Sequence, residues 1–213
     1  MDRLALITFT EDKKIRKMEI ENISEKQIAN DIRANLEMIL VENTWLLKQM
    51  DFNEVATLVN YIGSANHIFI IAAGRSGFAM RSAAMRLMHL GLKVYFVGET
   101  ITPAIIKGDL LIAASGSGTT STTVRAAQKA KEVEAIVVAI STQEHSLLSG
   151  LADQLILIPA AGKQDLESSR SGQYAGSLFE QFLLLLMDSI FQSLCKFNRI
   201  PAAELWKRHA NLE

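Results

Sequence analysis

Five short, continuous runs of apolar residues, separated by stretches with helical periodicity, constrain the fold of this chain more than any other feature. An unbroken apolar run of this length is typical of a strand that is covered on both faces. The runs predict strands at residues 68–72, 93–97, 109–114, 135–140 and 154–158. Because strands that alternate with helices form parallel sheets, the sequence predicts an α/β fold, a three-layer αβα sandwich around a five-stranded, doubly wound parallel sheet.

The helical stretches lie before, between and after these runs. Two amphipathic helices are predicted before the first strand, at residues 24–49 and 51–63, with Gly63 as the stop of the second. Later helices are predicted at residues 78–90, 122–132, 147–151 and 177–197, with a short one after Pro201. We expect residues 1–23 to be an N-terminal extension and residues 24–213 to form one domain with the N-terminal helices and the C-terminal helical tail.

Charge and composition exclude several classes of protein. The net charge of -1 over 213 residues favours neither a nucleic-acid partner nor a membrane surface. The single cysteine, Cys195, allows no intrachain disulfide and is predicted to be a buried structural thiol. The N-terminus lacks the pattern of a signal peptide, and the most apolar helix carries Glu180 and Asp188, which argues against a membrane span. These features predict a cytoplasmic protein.

The segment SGSGTTS at residues 115–121 is the strongest local signal. It follows a buried strand and opens a helix, its glycines permit close approach of the backbone, and successive N–H groups can hold an anion. Phosphate binding is therefore predicted for Ser115, Gly116, Ser117, Gly118, Thr119 and Thr120. A flexible serine-glycine linker is the alternative, but a strand and a helix flank the segment with no spare length.

The segment GRSG at residues 74–77 occupies the equivalent position after the first strand and is predicted to be a turn. Gly74 would let the backbone approach the same phosphate, Ser76 could donate a hydrogen bond to it, and Arg75 could pair with it. The alternative is a helix N-cap serine beside an exposed arginine. Ligands of parallel sheets bind beyond the carboxyl ends of the strands, so both segments are expected at one edge.

Neither segment fits a nucleotide-binding motif well. A Walker A loop needs a lysine after its last glycine, whereas Gly118 is followed by Thr119. The first segment offers only Gly74 and Gly77 of a dinucleotide fingerprint, although Glu99 lies near the ribose-binding position.

The two segments together resemble the sugar isomerase (SIS) domain. Four further segments resemble the 6-phospho-3-hexuloisomerase family within it: MRLMHLG at 85–91, GETITPA at 98–104, GSLFE at 176–180 and RHANLE at 208–213. The resemblance covers roughly residues 28–213. It departs from the family at Thr119, where glutamate is usual, and at residues 173–176, where a Pro-Leu-Gly type of sequence is usual.

The resemblance implies an isomerase that uses no metal and no organic cofactor. Members interconvert D-arabino-hex-3-ulose 6-phosphate and fructose 6-phosphate, act after 3-hexulose-6-phosphate synthase, and are usually homotetramers, which allows a dimer of dimers here. The family's phosphate-binding hydroxyls correspond to Ser76, Ser115, Ser117 and Thr120, and its proposed catalytic base corresponds to Glu180.

Two catalytic assignments, those of Glu180 and His209, have alternatives in which the residue takes no part in catalysis. Glu180 could instead be an ordinary first-turn glutamate that the helix N-terminus stabilises. In other SIS enzymes a histidine from a neighbouring subunit assists catalysis, so His209 is predicted to be that second catalytic group, although it could be a plain tail residue. His89, which ends a helix where a cationic or capping role is usual, is the reserve candidate.

The sequence leaves two functional alternatives open. One is an SIS isomerase for arabinose 5-phosphate or a heptose phosphate. The other is a non-catalytic, sugar-phosphate-binding regulatory domain. The long apolar helices at 24–49 and 177–197 are expected both to pack on the sheet and to contribute to an oligomer interface.

Overall fold

The computed structural model describes residues 23–162 and 171–212. Most of the predicted N-terminal extension and part of the polar loop before the last long helix lie outside the described residues, as does Glu213. The chain divides into two compact units, Met1–Leu36 and Glu37–Glu213. In the first unit, Ser24 and Gln27 form a reciprocal capping pair, in which the Ser24 hydroxyl accepts from the Gln27 amide and Gln27 Oε1 accepts from the Ser24 amide.

The second unit contains an alternation of strands and helices. The strands are β1 (Ile68–Ile71), β2 (Val94–Phe96), β3 (Leu110–Ala114), β4 (Ile136–Ser141) and β5 (Gln154–Leu157). The helices are α1 (Glu25–Gln49), which begins in the first unit, α2 (Phe52–Ser64), α3 (Gly74–His89), α4 (Ser121–Glu132), α5 (Ser177–Phe197) and α6 (Ala202–Trp206), with one turn of 3-10 helix at Ser149–Leu151. Each strand lies within one residue of the apolar run that predicted it.

All strand pairs are parallel, and the order across the sheet is β2-β1-β3-β4-β5. The chain proceeds outward from β1 to β2 in one direction and from β3 through β4 to β5 in the other. The direction therefore reverses between β1 and β3, and crevices at such switch points are where doubly wound sheets bind ligands.

Both faces of the sheet are covered by helices, as predicted. Alternate residues of a strand point to opposite faces, so Ile68 and Ile70 lie in one core with the apolar residues of α2, α3 and α5. Phe69 and Ile71 lie in a second core with those of α4. The α/β fold with a five-stranded parallel sheet and helices on both sides is confirmed.

The prediction of a turn at residues 74–77 is wrong, because these residues form the first turn of α3. The Gly77 amide donates to the Ala73 carbonyl at 3.1 Å, and Ala73 is the N-cap residue, so Ser76 is not a cap. A Cβ on Gly77 would lie 3.0 Å from the Ala72 carbonyl oxygen. Glycine is thus required here for close approach of the helix to the strand end. The sequence GRSG alone does not distinguish this role from that of a glycine in a turn.

Helix α5 is, within the described ranges, the one helix long and apolar enough to span a membrane by length and composition. Many of its apolar residues, among them Phe179, Leu183 and Leu186, are instead buried in the core that α5 shares with α3 and the sheet. Packing inside the protein accounts for the apolar residues on the buried face of this helix.

Candidate active site

A small polar cavity of about 100 Å³ opens at the carboxyl edge of the sheet, between the ends of β1 and β3. It is therefore located at the switch point of the sheet. The lining residues are Ala73, Gly74, Ser76, Ala114, Ser115, Gly116, Ser117 and Thr120. Six of them were predicted from the sequence to bind phosphate, and the fold brings them together from two separate segments.

Hydroxyl groups dominate the polar part of this cavity. Ser76 and Ser115 are buried, and the Ser115 hydroxyl lies 2.9 Å from that of Thr120. Ser117 is exposed, and its oxygen accepts hydrogen bonds from the Thr119 amide at 3.3 Å and the Thr119 hydroxyl at 3.1 Å. Since a hydroxyl carries one proton and two acceptor lone pairs, the Ser117 proton remains available to a ligand oxygen.

Gly118 and Thr119 do not line the cavity but shape the segment that does. Gly118 adopts a positive φ of 64°, and its amide donates to the Ser115 carbonyl at 3.1 Å. A Cβ on Gly118 would lie 2.4 Å from the Ser146 Cβ. Both observations explain why glycine occupies this position.

The start of α5 packs directly on the second segment. A Cβ on Gly116 would approach the Phe179 ring to 3.3 Å, so Gly116 provides the space for that ring. Glu180 is the next residue of α5, and it is 7% exposed. The Glu180 carboxylate is therefore largely buried at the start of α5.

Arg75 connects this carboxylate to the first segment. Its Nη1 lies 3.1 Å from Glu180 Oε2 and 3.1 Å from the Ser177 hydroxyl oxygen, and it donates a hydrogen bond to the latter. The sequence predicts that Arg75 pairs with phosphate. In this structure the guanidinium contacts the start of α5, and Arg75 is not among the residues that line the cavity.

His209 lies at a different location. Its ring stacks on His89 with a centroid distance of 4.5 Å, and the Trp206 ring lies 4.9 Å away. His89 ends α3 and Gly74 begins it, so fifteen residue steps of about 1.5 Å separate His89 from the cavity end of the helix by roughly 22 Å. The structure does not bring His209 to the cavity of its own chain.

The environment of His89 opposes the cationic role expected of it. The side chain is 3% exposed. Burial, the neighbouring His209 and Arg86 together lower the pKa of His89 below its ordinary value, so the neutral ring is favoured.

The SIS domain family model matches residues 61–185, which is more than half of the chain and contains both cavity segments and Glu180. This chain belongs to the SIS domain family. A 3-hexulose-6-phosphate isomerase of Mycobacterium gastri is 48% identical over 188 residues, which cover 88% of this SIS protein and 94% of the relative. The enzyme of the same name from Bacillus subtilis is 40% identical over 161 residues, with coverages of 75% and 87%.

A solved structure gives the same likeness in three dimensions. The crystal structure of a Methanococcus jannaschii protein, described as inferring a molecular function of 3-hexulose-6-phosphate isomerase, superimposes with a TM-score of 0.73. It is 35% identical in sequence, and the match covers 84% of this SIS protein and 99% of that chain. The resemblance stated from the sequence segments is confirmed.

Two features of the SIS cavity escaped sequence reasoning. The contact between Arg75 and Glu180 joins segments that are distant in the chain, and no local sequence pattern predicts it. Ser141 and Thr142, at the end of β4, both donate to the Gly116 carbonyl. Their position directly after a predicted strand, at the ligand-binding edge, is the signal that could have identified them.

Proposed function

We propose that this protein is a 3-hexulose-6-phosphate isomerase, also called 6-phospho-3-hexuloisomerase. It interconverts D-arabino-hex-3-ulose 6-phosphate and D-fructose 6-phosphate through a 2,3-enediol. The observation that carries the proposal is the buried Glu180 carboxylate, which contacts Arg75 in the segment that also contributes Gly74 and Ser76 to the hydroxyl-lined cavity. The names of the relatives that cover most of this chain support the same reaction.

The cavity between the strand ends suits the phosphate of the substrate. Ser76, Ser115, Ser117 and Thr120 supply hydroxyl donors, and the backbone around Gly74 and Gly116 supplies close approach. An anion can be held in this way without a net positive charge on the protein. The phosphate then fixes the sugar carbons relative to the start of α5.

Glu180 is the proposed base. Moving the carbonyl from C3 to C2 requires removal of the C2 proton, formation of the enediol and delivery of a proton to C3. A single carboxylate on one face of the sugar can take the first proton and deliver the second, and general acid-base groups contribute about 10²–10⁴-fold each. Arg75 positions the Glu180 carboxylate, because its guanidinium contacts that carboxylate and also donates a hydrogen bond to the Ser177 hydroxyl in the same first turn of α5.

A second group must move a proton from the C2 oxygen to the C3 oxygen. We assign this step to His209 of a neighbouring subunit, because His209 of the same chain stacks on His89 at the far end of α3. The assignment requires an oligomer, for which we propose a homotetramer built as a dimer of dimers. We also propose that the enzyme is cytoplasmic and works after 3-hexulose-6-phosphate synthase.

A coupled assay tests the reaction. Ribulose 5-phosphate, formaldehyde and an active hexulose-phosphate synthase generate the 3-ketose, and fructose 6-phosphate is detected through glucose-phosphate isomerase and an NADP-linked dehydrogenase. We expect NADPH formation that depends on this protein and that persists when this protein has been treated with a chelator before the assay. Absence of signal with an active synthase would overturn the proposal and direct the search to pentose and heptose phosphates.

The variant Glu180→Gln tests the base. Since the amide cannot accept the C2 proton, we expect turnover to fall by at least about 10²-fold, while fructose 6-phosphate still binds. Glu132→Gln, which makes the same change at an exposed glutamate of α4, is the control and should turn over normally. Near-normal turnover by Glu180→Gln would exclude Glu180 as the base.

A further inference from the structure

The carbonyl oxygen of Gly116 is held by three hydrogen bonds from the end of β4. The Thr142 hydroxyl donates to it at 2.8 Å, the Thr142 amide at 3.2 Å and the Ser141 hydroxyl at 3.2 Å. The Thr142 oxygen also accepts from the Gln143 side-chain amide at 3.0 Å, which leaves the Thr142 proton for Gly116. The Gly116 carbonyl is therefore fixed on the β4 side.

The orientation of this carbonyl determines that of the next amide. The peptide bond between Gly116 and Ser117 is trans, so its N–H points opposite to its C=O. In the sheet, β3 lies between β4 and β1. With the Gly116 carbonyl directed toward β4, the Ser117 N–H is directed toward β1, where the cavity lies.

We infer that Thr142 is a positioning residue for the phosphate site. By holding the Gly116 carbonyl, its hydroxyl turns the Ser117 amide into the cavity as a preorganised donor to a phosphate oxygen. The inference rests on the proposed function for the identity of the phosphate ester. The role itself concerns only a phosphate group, so inorganic phosphate suffices as a probe.

The test compares variants that differ at one hydroxyl. Thr142→Val keeps the shape and removes the donor, whereas Thr142→Ser keeps the donor. Gln143→Ala removes the neighbouring amide and is the control for that contact. Calorimetric titration with inorganic phosphate measures the Kd, and a ¹H–¹⁵N correlation spectrum reports the shift of the Ser117 amide on titration.

We expect Thr142→Val to raise the Kd for phosphate by about three- to tenfold, the loss that corresponds to one hydrogen bond. The KM for the sugar phosphate should rise by a similar factor, with kcat changed by less than about twofold. The phosphate-induced downfield shift of the Ser117 amide should shrink. Thr142→Ser and Gln143→Ala should behave like the wild type in all three measurements.

Phosphate affinity and a Ser117 shift that are unchanged in folded Thr142→Val would overturn the inference. If that variant does not fold, Ser141→Ala removes a second donor to the same carbonyl and should raise the Kd by a smaller factor; an unchanged Kd there would likewise reject the inference. Failure of the proposed function is a separate result, because the wild type would then bind phosphate without forming fructose 6-phosphate.

Discussion

Arg75 has a different partner in the structure from the one that its position in the sequence suggests. Its side chain is 60% exposed, and its guanidinium contacts the buried Glu180 carboxylate at 3.1 Å. A ligand of the phosphate would mainly affect the affinity for substrate. A partner of the catalytic carboxylate would mainly affect the chemical step, so kinetics can separate the two roles.

The variant Arg75→Met should lower kcat by about tenfold or more and change KM by less, because the Glu180 carboxylate loses its cationic partner and the contact that holds it. Arg75→Lys keeps the charge and should recover part of kcat. Steady-state kinetics with the 3-ketose measure both constants. A large rise in KM at constant kcat would instead assign Arg75 to the phosphate.

In the second segment, residues 115–121, the backbone conformation requires glycine most clearly at position 118. The variant Gly118→Ala places a Cβ 2.4 Å from that of Ser146 at a positive φ, so the segment must move. We expect a loss of about 1–3 kcal/mol in the free energy of unfolding and weaker phosphate binding. Denaturant titration and calorimetry measure the two effects.

Gly63 supplies the control for that substitution. It lies in α2, and nothing lies within 4 Å of a Cβ placed there. Gly63→Ala should leave stability unchanged or raise it by up to about 1 kcal/mol. Equal losses in the two variants would contradict the account of Gly118.

Among the helices and loops, Glu42 of α1 forms a clamp on the described residues just before α5. Its carboxylate accepts hydrogen bonds from the Gly172 amide at 2.7 Å, the Ser171 hydroxyl at 2.8 Å and the Gln173 side chain at 2.7 Å. Gln173 in turn accepts from Gln181, the neighbour of Glu180. This clamp links α1 to the helix that carries the proposed base.

The clamp makes stability depend on pH in a defined direction. Burial raises the pKa of the Glu42 carboxyl, but the hydrogen bonds from Gln173, Gly172 and Ser171 outweigh it, and the net pKa lies below the ordinary value of 4.5. Because the pKa is lower in the folded state, the stabilisation is fully present above the unfolded-state pKa and is lost as the pH falls through the folded-state pKa.

The variant Glu42→Gln should therefore be less stable than the wild type by about 1 kcal/mol near neutral pH. The difference should shrink as the pH is lowered below 4.5, where the wild-type carboxyl becomes protonated. Urea titrations from neutral pH to below 4.5 measure this difference in the free energy of unfolding between the variant and the wild type. Glu37→Gln, at an exposed site of the same helix, is the control, and a pH-independent deficit in Glu42→Gln would contradict the prediction.

The elements that could be predicted from the sequence are those that local patterns determine. Continuous apolar runs predicted the five strands. Their alternation with the helices predicted the doubly wound sheet and the edge of the sheet where the cavity lies. The start of α3 could not be predicted, since Gly74 and Gly77 suit a turn as well as a close helix–strand contact. The partners of Arg75 and Glu42 could not be predicted either, because they depend on how distant segments pack.

At the scale of the molecule, an apolar groove of about 250 Å³ lies between α1 and α5. Residues along it expose much of their side chains, including Leu40 at 58% and Leu185 at 52%. The lining residues are Leu40, Asn43, Thr44, Leu47, Phe52, Phe182, Leu185, Leu186 and Ser189. Clustered apolar exposure of this kind is typical of a surface that another subunit covers.

The variant Leu185→Glu should weaken the proposed homotetramer, because it places a charge in that groove. Sedimentation velocity should detect smaller species, and activity should fall with them if His209 acts in a neighbouring subunit's site. Leu147→Glu changes another exposed leucine outside the groove and should leave assembly intact. Unchanged assembly in Leu185→Glu would remove the groove from the interface.

The cavity lies between the first turns of two helices that belong to opposite layers, since α3 packs in one core and α4 in the other. The positive ends of two peptide macrodipoles are therefore close to the cavity, and their like partial charges repel each other. A bound dianion turns this repulsion into attraction from both sides. Phosphate esters should consequently strengthen the cohesion of the two layers, so that occupancy by substrate raises the free energy of unfolding.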